Sequence, residues 1–446
     1  MSPNRVDVQR DGSEAPEAAL HRLYGYSRFR RLQRPIVSAM LADRDVIAVL
    51  PTGAGKSICF QLPALMREDL TLVVSPLISL MQDQVAGLRH RGLAAAELSS
   101  ATPVADRSRA EDALAARELR LLYASPEMLA SPRFRSLCAS SRPGRIVVDE
   151  AHCISEWGHD FRPSYRRIGE FARAVGRPPL AAFTATATPA TRSDVEACLG
   201  LRRPLRVVAS VDRPNLHWSA ARVRGLREAI DRAGAEVLTS LRSRPGSGAI
   251  LYAPTRRTAA QAAEALCRLG VRASYYHAGM DPDGRRHVQD RFLAGDLAVV
   301  CATSAFGMGI DHPRIRLVCH CGMPGALESY VQEAGRAGRD GERAAALLLA
   351  TPRDRRIHAL LARGGDRGSS HLRRARARLR AMIGYVDTSG CRRSYISSYF
   401  GERPPACSGC DRCDGAGQRL PWTRRLRFDR RREGRLPAGS TETEET

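Results

Sequence analysis

Lysine is almost missing from this chain: of its 70 basic residues only Lys56 is lysine, and asparagine occurs only at Asn4 and Asn215. A sequence that uses arginine at every other basic position, in the manner of GC-rich coding, has kept lysine where a compact ammonium differs chemically from a planar guanidinium. No run of about 18 consecutive apolar residues is present, so no membrane-spanning helix is expected. The segment Met1 to Glu17 is polar and mixed in charge, unlike a secretion signal. A soluble, cytoplasmic protein is expected. Acidic residues are in deficit: 47 Asp and Glu leave a formal net charge of +23 and a pI near 10.4. That balance favours a polyanionic partner, because a basic surface concentrates phosphate backbones and releases their counterions. Nucleic acid leads and an acidic membrane comes second.

Paired cysteines are also scarce. Eight of the 12 (Cys59, Cys138, Cys153, Cys198, Cys267, Cys301, Cys319 and Cys321) are scattered in apolar or helical surroundings, as suits buried thiols in a reducing compartment. The other four, Cys391, Cys407, Cys410 and Cys413, are spaced C-x15-C-x2-C-x2-C. Four thiolates at that spacing make a closed tetrahedral Zn2+ site with no open position, and hence a structural one. Disulfides are the alternative, which a reducing compartment disfavours.

With 446 residues the chain has room for two or three domains, each able to bury its own core. Short apolar runs alternate with helical patterns at Val46 to Leu50, Leu70 to Ser75, Leu119 to Ala124, Arg145 to Val148 and Ala181 to Thr184. After a polar link near Asp212 to Asn215 a second series follows: Ala249 to Tyr252, Ala273 to Tyr276, Ala298 to Ala302, Ile315 to Cys319 and Ala344 to Leu349. This is the rhythm of two α/β domains, each a parallel sheet covered by helices. The expected divisions are a disordered segment over 1–19, α/β domains over 20–208 and 209–352, a helical zinc-binding subdomain over 353–416, and a disordered tail over 417–446. The tail is basic, with seven arginines between Arg424 and Arg435, then acidic. Its arginines are expected to add phosphate contacts.

Ligands of parallel sheets bind beyond the carboxyl ends of the strands, so motifs there carry weight. The run ending at Leu50 leads into Pro51-Thr52-Gly53-Ala54-Gly55-Lys56-Ser57 and then an apolar helix. Glycines let backbone N–H groups close on phosphates, Lys56 neutralises them, and the Ser57 hydroxyl suits Mg2+. Position 50 is leucine where the full pattern has glycine, so the match is to a variant of the loop. The run Arg145 to Val148 ends in Asp149-Glu150-Ala151-His152. There Asp149 suits the Mg2+ shell and Glu150 can deprotonate a water aligned with the γ-phosphate. In the second half, Gln332 to Gly341 sets Arg336 and Arg339 three apart on one face, where they can stabilise transition-state charge from across a cleft.

In order and spacing these segments resemble a RecQ-type DNA helicase of superfamily 2 over roughly residues 20 to 415. Further matches are Tyr24 to Gln33, Val74 to Gln84, Tyr123 to Glu127, Cys153 to Tyr165, Phe183 to Ala187, Asp212 to Leu216, Tyr252 to Arg257, His277 to Met280 and Ala302 to Asp311. The resemblance implies two tandem RecA-like domains followed by a small helical zinc-binding subdomain. It also implies ATP, Mg2+ and Zn2+ as cofactors, with Gln332 joining the catalytic set. Tyr26 and Arg30 would stack on the adenine and Gln33 bond its edge, with Asp311 also toward the nucleotide. Trp157, His159, Phe161 and Arg162 would meet DNA through bases and phosphates. The implied activity is ATP-driven movement, 3′ to 5′, on single-stranded or 3′-tailed DNA, with unwinding in repair or recombination, by a monomer. Relatives continue into a winged-helix domain, for which the about thirty residues after Cys413 are too few. Translocation is therefore expected ahead of efficient unwinding. An RNA remodeller and a non-unwinding scaffold or annealing factor remain the alternatives.

Overall fold

The computed structural model describes residues 14–158, 160–306, 312–363 and 369–415. His159, Asp311 and the arginine-rich tail lie outside these described residues. The first sheet is built from β1 (Val46–Val49), β2 (Thr71–Val74), β3 (Ala95–Leu98), β4 (Leu121–Ala124), β5 (Arg145–Val148), β6 (Leu180–Thr184) and β7 (Leu205–Val208). Their order is β3-β4-β2-β5-β6-β1-β7, with every pairing parallel. Side chains alternate across the sheet, and both faces are covered. Leu72, Val74, Ile146 and Val148 enter one apolar cluster, while Val73, Val147, Val46 and Ala48 enter the other. Double-sided burial explains why these strands read as continuous apolar runs instead of alternating ones.

The second sheet comprises β8 (Leu216–Arg222), β9 (Gly248–Tyr252), β10 (Ala273–Tyr276), β11 (Val299–Ala302), β12 (Ile315–Cys321) and β13 (Ala344–Ala350), in the order β10-β11-β9-β12-β13-β8 and again all parallel. Helices Ser369–Asp387 and Arg392–Tyr399 follow, and the turn around Cys410 closes on the edge strand β8. There Trp218 and Cys410 form a parallel bridge, and the Asp411 N–H donates to the Trp218 carbonyl at 3.0 Å.

Three local outcomes differ from expectation. The helix Pro16–Tyr24 begins inside the segment expected to be disordered, because Ala19 and Leu20 bury themselves against Val37 and Leu62. Cys267 is exposed and Cys198 only half-buried, so burial holds for six of the eight scattered thiols. The strands β3, β7 and β8 were not among those expected from the sequence.

A cleft at the phosphate loop and a four-cysteine cluster

Parallel order puts the carboxyl ends of β1, β6 and β5 side by side, so the loop after β1 and the carboxylates after β5 leave the same edge of the sheet. In the loop, Gly53 and Gly55 take φ of +85° and +77°, the left-handed region that costs other residues steric strain. Space is tight as well. A Cβ on Gly55 would stand 2.4 Å from Gln33 Nε2, and one on Gly53 would stand 3.3 Å from Arg339 Cδ. Lys56 then opens the helix Lys56–Met66, whose first-turn N–H groups and dipole favour an anion.

Gln33 is buried and braces the loop: its Nε2 donates to the Ala54 and Gly55 carbonyls at 3.1 Å each, while Oε1 accepts from the Arg30 N–H at 2.9 Å. The Arg30 guanidinium donates to the Gly53 carbonyl. Tyr26 is exposed at the mouth. A cavity of about 400 Å³ is lined by Tyr26, Arg30, Gln33, Thr52, Gly53, Gly55, Lys56, Ser57, Asp149 and Glu150 from the first domain, and by Arg339 from the second. Ala54, Gln332 and Arg336 do not line it; Arg336 is buried beside Tyr252. Arg28, Leu80 and Gln84 do line it and were not singled out from the sequence. All three sit within segments that carry the resemblance, Tyr24 to Gln33 and Val74 to Gln84, which is the available signal.

The carboxylates are held from several sides. Asp149 accepts from the Glu150 N–H at 3.0 Å and the Ser75 hydroxyl at 3.5 Å, and its carbonyl accepts from the Tyr165 hydroxyl at 3.1 Å. Burial, with the Glu150 charge adding to it, pushes the Asp149 carboxyl up to about 6, against the pull of Lys56. Glu150 has φ of +47°, a conformation a non-glycine residue keeps only when its surroundings enforce it. Its Oε2 lies 3.3 Å from His152 Nδ1, which is 2.9 Å from the Thr184 hydroxyl at the end of β6. Two buried carboxylates facing a lysine and an arginine fit a site that a divalent cation and a polyphosphate would complete.

From the other domain, Arg213 grips the turn that carries the arginines. Its guanidinium donates to the Gly335, Ala337 and Gly338 carbonyls at 2.9, 3.1 and 2.9 Å, and the Asn215 amide donates to those of Gly338 and Glu342 at 2.8 Å each. In the sequence Asp212 to Leu216 is only a pattern; its role as a brace for the turn that carries Arg339 becomes visible in three dimensions.

At the far end of the second domain the four Sγ atoms of Cys391, Cys407, Cys410 and Cys413 lie within 4.8 Å of one another. A Zn2+ with Zn–S bonds of about 2.3 Å sets tetrahedral edges of about 3.8 Å, and the Cys391–Cys410 separation of 4.0 Å suits that edge. It is far outside the about 2.05 Å of a disulfide. Burial would raise the Cys391 thiol, but hydrogen bonds from the Ser394 N–H and the neighbouring thiols outweigh it and bring the thiol down to about 6, while burial and the same neighbours push Cys407 up to about 11 and Cys413 further. One thiol therefore ionises readily and the others need the charge of a bound cation. The donor set fits zinc.

Three family models match in chain order: DEAD/DEAH box helicase over residues 30–195, helicase conserved C-terminal domain over 232–341, and RecQ zinc-binding over 352–414. The chain is 42% identical to an ATP-dependent DNA helicase RecQ of Synechocystis, over 75% of this chain and 70% of that protein. It is 38% identical to one from Pasteurella multocida, over 88% of this chain. The chain belongs to the RecQ family of superfamily 2 helicases. It spans 61% of the length of the Pasteurella relative and 64% of one from Haemophilus influenzae, less than two thirds of each. Among solved structures, the helicase MrfA bound to DNA has a TM-score of 0.64 at 22% identity, covering 78% of this chain and 50% of that one. Dbp5 of S. cerevisiae bound to RNA has 0.60 at 18%, covering 82% and 98%. Such likeness shows the fold.

In this RecQ-family chain the loop after the carboxylates leaves Trp157 about half exposed, at 47%. Phe161 is half-buried, and Arg162 donates to Asp160 and to the Pro76 carbonyl at 3.1 Å. Among the described residues no helix is long and apolar enough to cross a membrane.

Proposed function

We propose that this chain hydrolyses ATP in the cleft between its two RecA-like domains and uses the closure of that cleft to move along single-stranded DNA. The single observation that carries this is the shared cavity, where Lys56, Asp149 and Glu150 of one domain face Arg339 of the other. Lys56 and the loop N–H groups bind the phosphates, and a Mg2+ held through Ser57 and Asp149 would neutralise part of their charge. Glu150 accepts the proton of the attacking water, with His152 and Thr184 fixing its direction. Arg339 meets the charge that develops on the transferred phosphoryl group only when the domains are together, so hydrolysis reports closure.

DNA as the track is supported by the net charge of +23, the exposed Trp157 and the names of the relatives. Similar folds are seen with DNA and with RNA, so the fold alone does not choose the strand. Movement 3′ to 5′, unwinding and a role in repair follow from family membership as proposals. The test compares ATPase and strand displacement on 3′-tailed DNA, 5′-tailed DNA and matched RNA, with Lys56→Ala as control. Hydrolysis stimulated by DNA and displacement of the 3′-tailed substrate alone are expected. Stimulation by RNA alone, or full hydrolysis by Lys56→Ala, would overturn the reading.

A further inference from the structure

The helix Ser369–Asp387 packs on the second motor domain but also reaches the first. The Arg374 guanidinium lies 5.1 Å from the centroid of the Trp157 ring and pairs with the Glu156 carboxylate. One turn on, Arg378 donates to the Glu156 carbonyl at 3.0 Å. The same subdomain grips the helix Leu327–Ala334 of the second domain. There the Tyr399 hydroxyl donates to Glu328 at 2.7 Å, and the Tyr385 hydroxyl lies 3.4 Å from that of Tyr330. Glu328 is almost fully buried. Burial raises its carboxyl, against Tyr399 and Arg378. Its helix bears Gln332 and runs into the turn of Arg336 and Arg339. One helical unit, pinned by the cysteine cluster, therefore holds two things at once: the loop that follows the carboxylates and the helix that leads to the cleft arginine. By contrast Arg373, Arg376 and Arg380 of the same helix are exposed.

We propose that Arg374 and Arg378 are positioning residues that couple strand occupancy of the Trp157 loop to the placement of Arg339. This rests on the chain being a DNA-stimulated ATPase. A base that takes the ring face covered by Arg374 displaces its guanidinium, which loosens the Glu156 pair and shifts the helix that also bears on Glu328. Coupling then travels through packed, paired side chains between two arrangements. Neither arginine lines the cleft cavity, so their loss changes how far DNA accelerates hydrolysis more than how tightly ATP or DNA binds.

The experiment uses the full zinc-loaded chain. ATPase is titrated with oligo-dT, DNA affinity is read by anisotropy with a non-hydrolysable ATP analogue, and hydrogen exchange is measured over 155–165 without DNA. Arg374→Ala is expected to lower the stimulation at saturating DNA by roughly tenfold, with the Kd for DNA moving less than about threefold. Arg374→Lys should recover part of it, Arg376→Ala should match the wild type, and exchange over 155–165 should quicken in Arg374→Ala. The charge swap Arg374→Glu with Glu156→Arg should outperform Arg374→Glu alone. Full stimulation of Arg374→Ala, or weaker DNA binding with full stimulation at saturation, would overturn the proposal. So would a swap no better than the single reversal. If no strand stimulates the wild type, the DNA-motor reading fails by itself. Exchange then decides the hold of Arg374 on the Trp157 loop: quickened exchange supports it, and unchanged exchange refutes it.

Discussion

Alanine at Gly55 tests how the phosphate loop is held. The backbone there has φ of +77°, and placing an L side chain in that region costs about 1–2 kcal/mol. The added Cβ would sit 2.4 Å from Gln33 Nε2, so the amide must swing away and give up its bonds to the Ala54 and Gly55 carbonyls. Each such bond contributes about 0.5–1.5 kcal/mol net, which makes the total close to 3 kcal/mol. Gln33→Ala removes the obstacle and the bonds together. Gly55→Ala introduced into Gln33→Ala should therefore cost only the backbone part, leaving a coupling of about 1–2 kcal/mol in the double-mutant cycle. Urea unfolding of the four proteins, followed by circular dichroism and by binding of a fluorescent ATP analogue, gives both stability and loop competence. A Gly55→Ala protein as stable as the wild type, or strictly additive costs, would refute this account of the loop.

Other outcomes follow from the same contacts. Glu150→Gln should lower hydrolysis by about 10²- to 10⁴-fold, the usual contribution of a general base, with ATP affinity nearly unchanged in equilibrium binding. Arg213→Ala takes its donors from the Gly335 and Ala337 carbonyls and leaves that of Gly338 to Asn215 alone, and should cost about 2–3 kcal/mol of stability in urea unfolding, while slowing hydrolysis more than it weakens ATP binding. Cys410→Ser, or chelation of the metal, should release zinc and uncover β8. Differential scanning calorimetry should then show the second domain melting at least about 5 °C lower.

Central strands were legible because both faces are buried: Val46 to Leu50 and Arg145 to Val148 are apolar throughout, and the motifs follow them directly. The strands not anticipated lack that signature for identifiable reasons. Ala95–Leu98 is dominated by alanine and carries Glu97, and Leu205–Val208 is a partly exposed edge. Leu216–Arg222 interleaves His217, Ser219 and Arg222 with apolar residues because its outer edge is covered by the cysteine turn. Its His217 meets Asp414 at 2.9 Å, a pairing no local pattern could announce. The candidate site was legible where chemistry demands a residue type, as at Lys56 and Asp149. It was hidden where a residue acts by bracing others. Gln33, expected at the adenine, also holds the Ala54 and Gly55 carbonyls, and the grip of Arg213 on a turn more than a hundred residues away exists only after folding. Arg336 and Arg339 look equivalent in sequence, yet the fold sends one beneath Tyr252 and the other into the cleft.

That last distinction gives the most direct test of the two-domain cleft. Single-turnover hydrolysis by Arg339→Ala with saturating single-stranded DNA, beside equilibrium binding of an ATP analogue, separates chemistry from affinity. A fall of about 10³-fold or more in the hydrolysis rate with binding preserved within several-fold is expected. Hydrolysis at close to the wild-type rate would contradict a reaction completed by an arginine from the opposite domain.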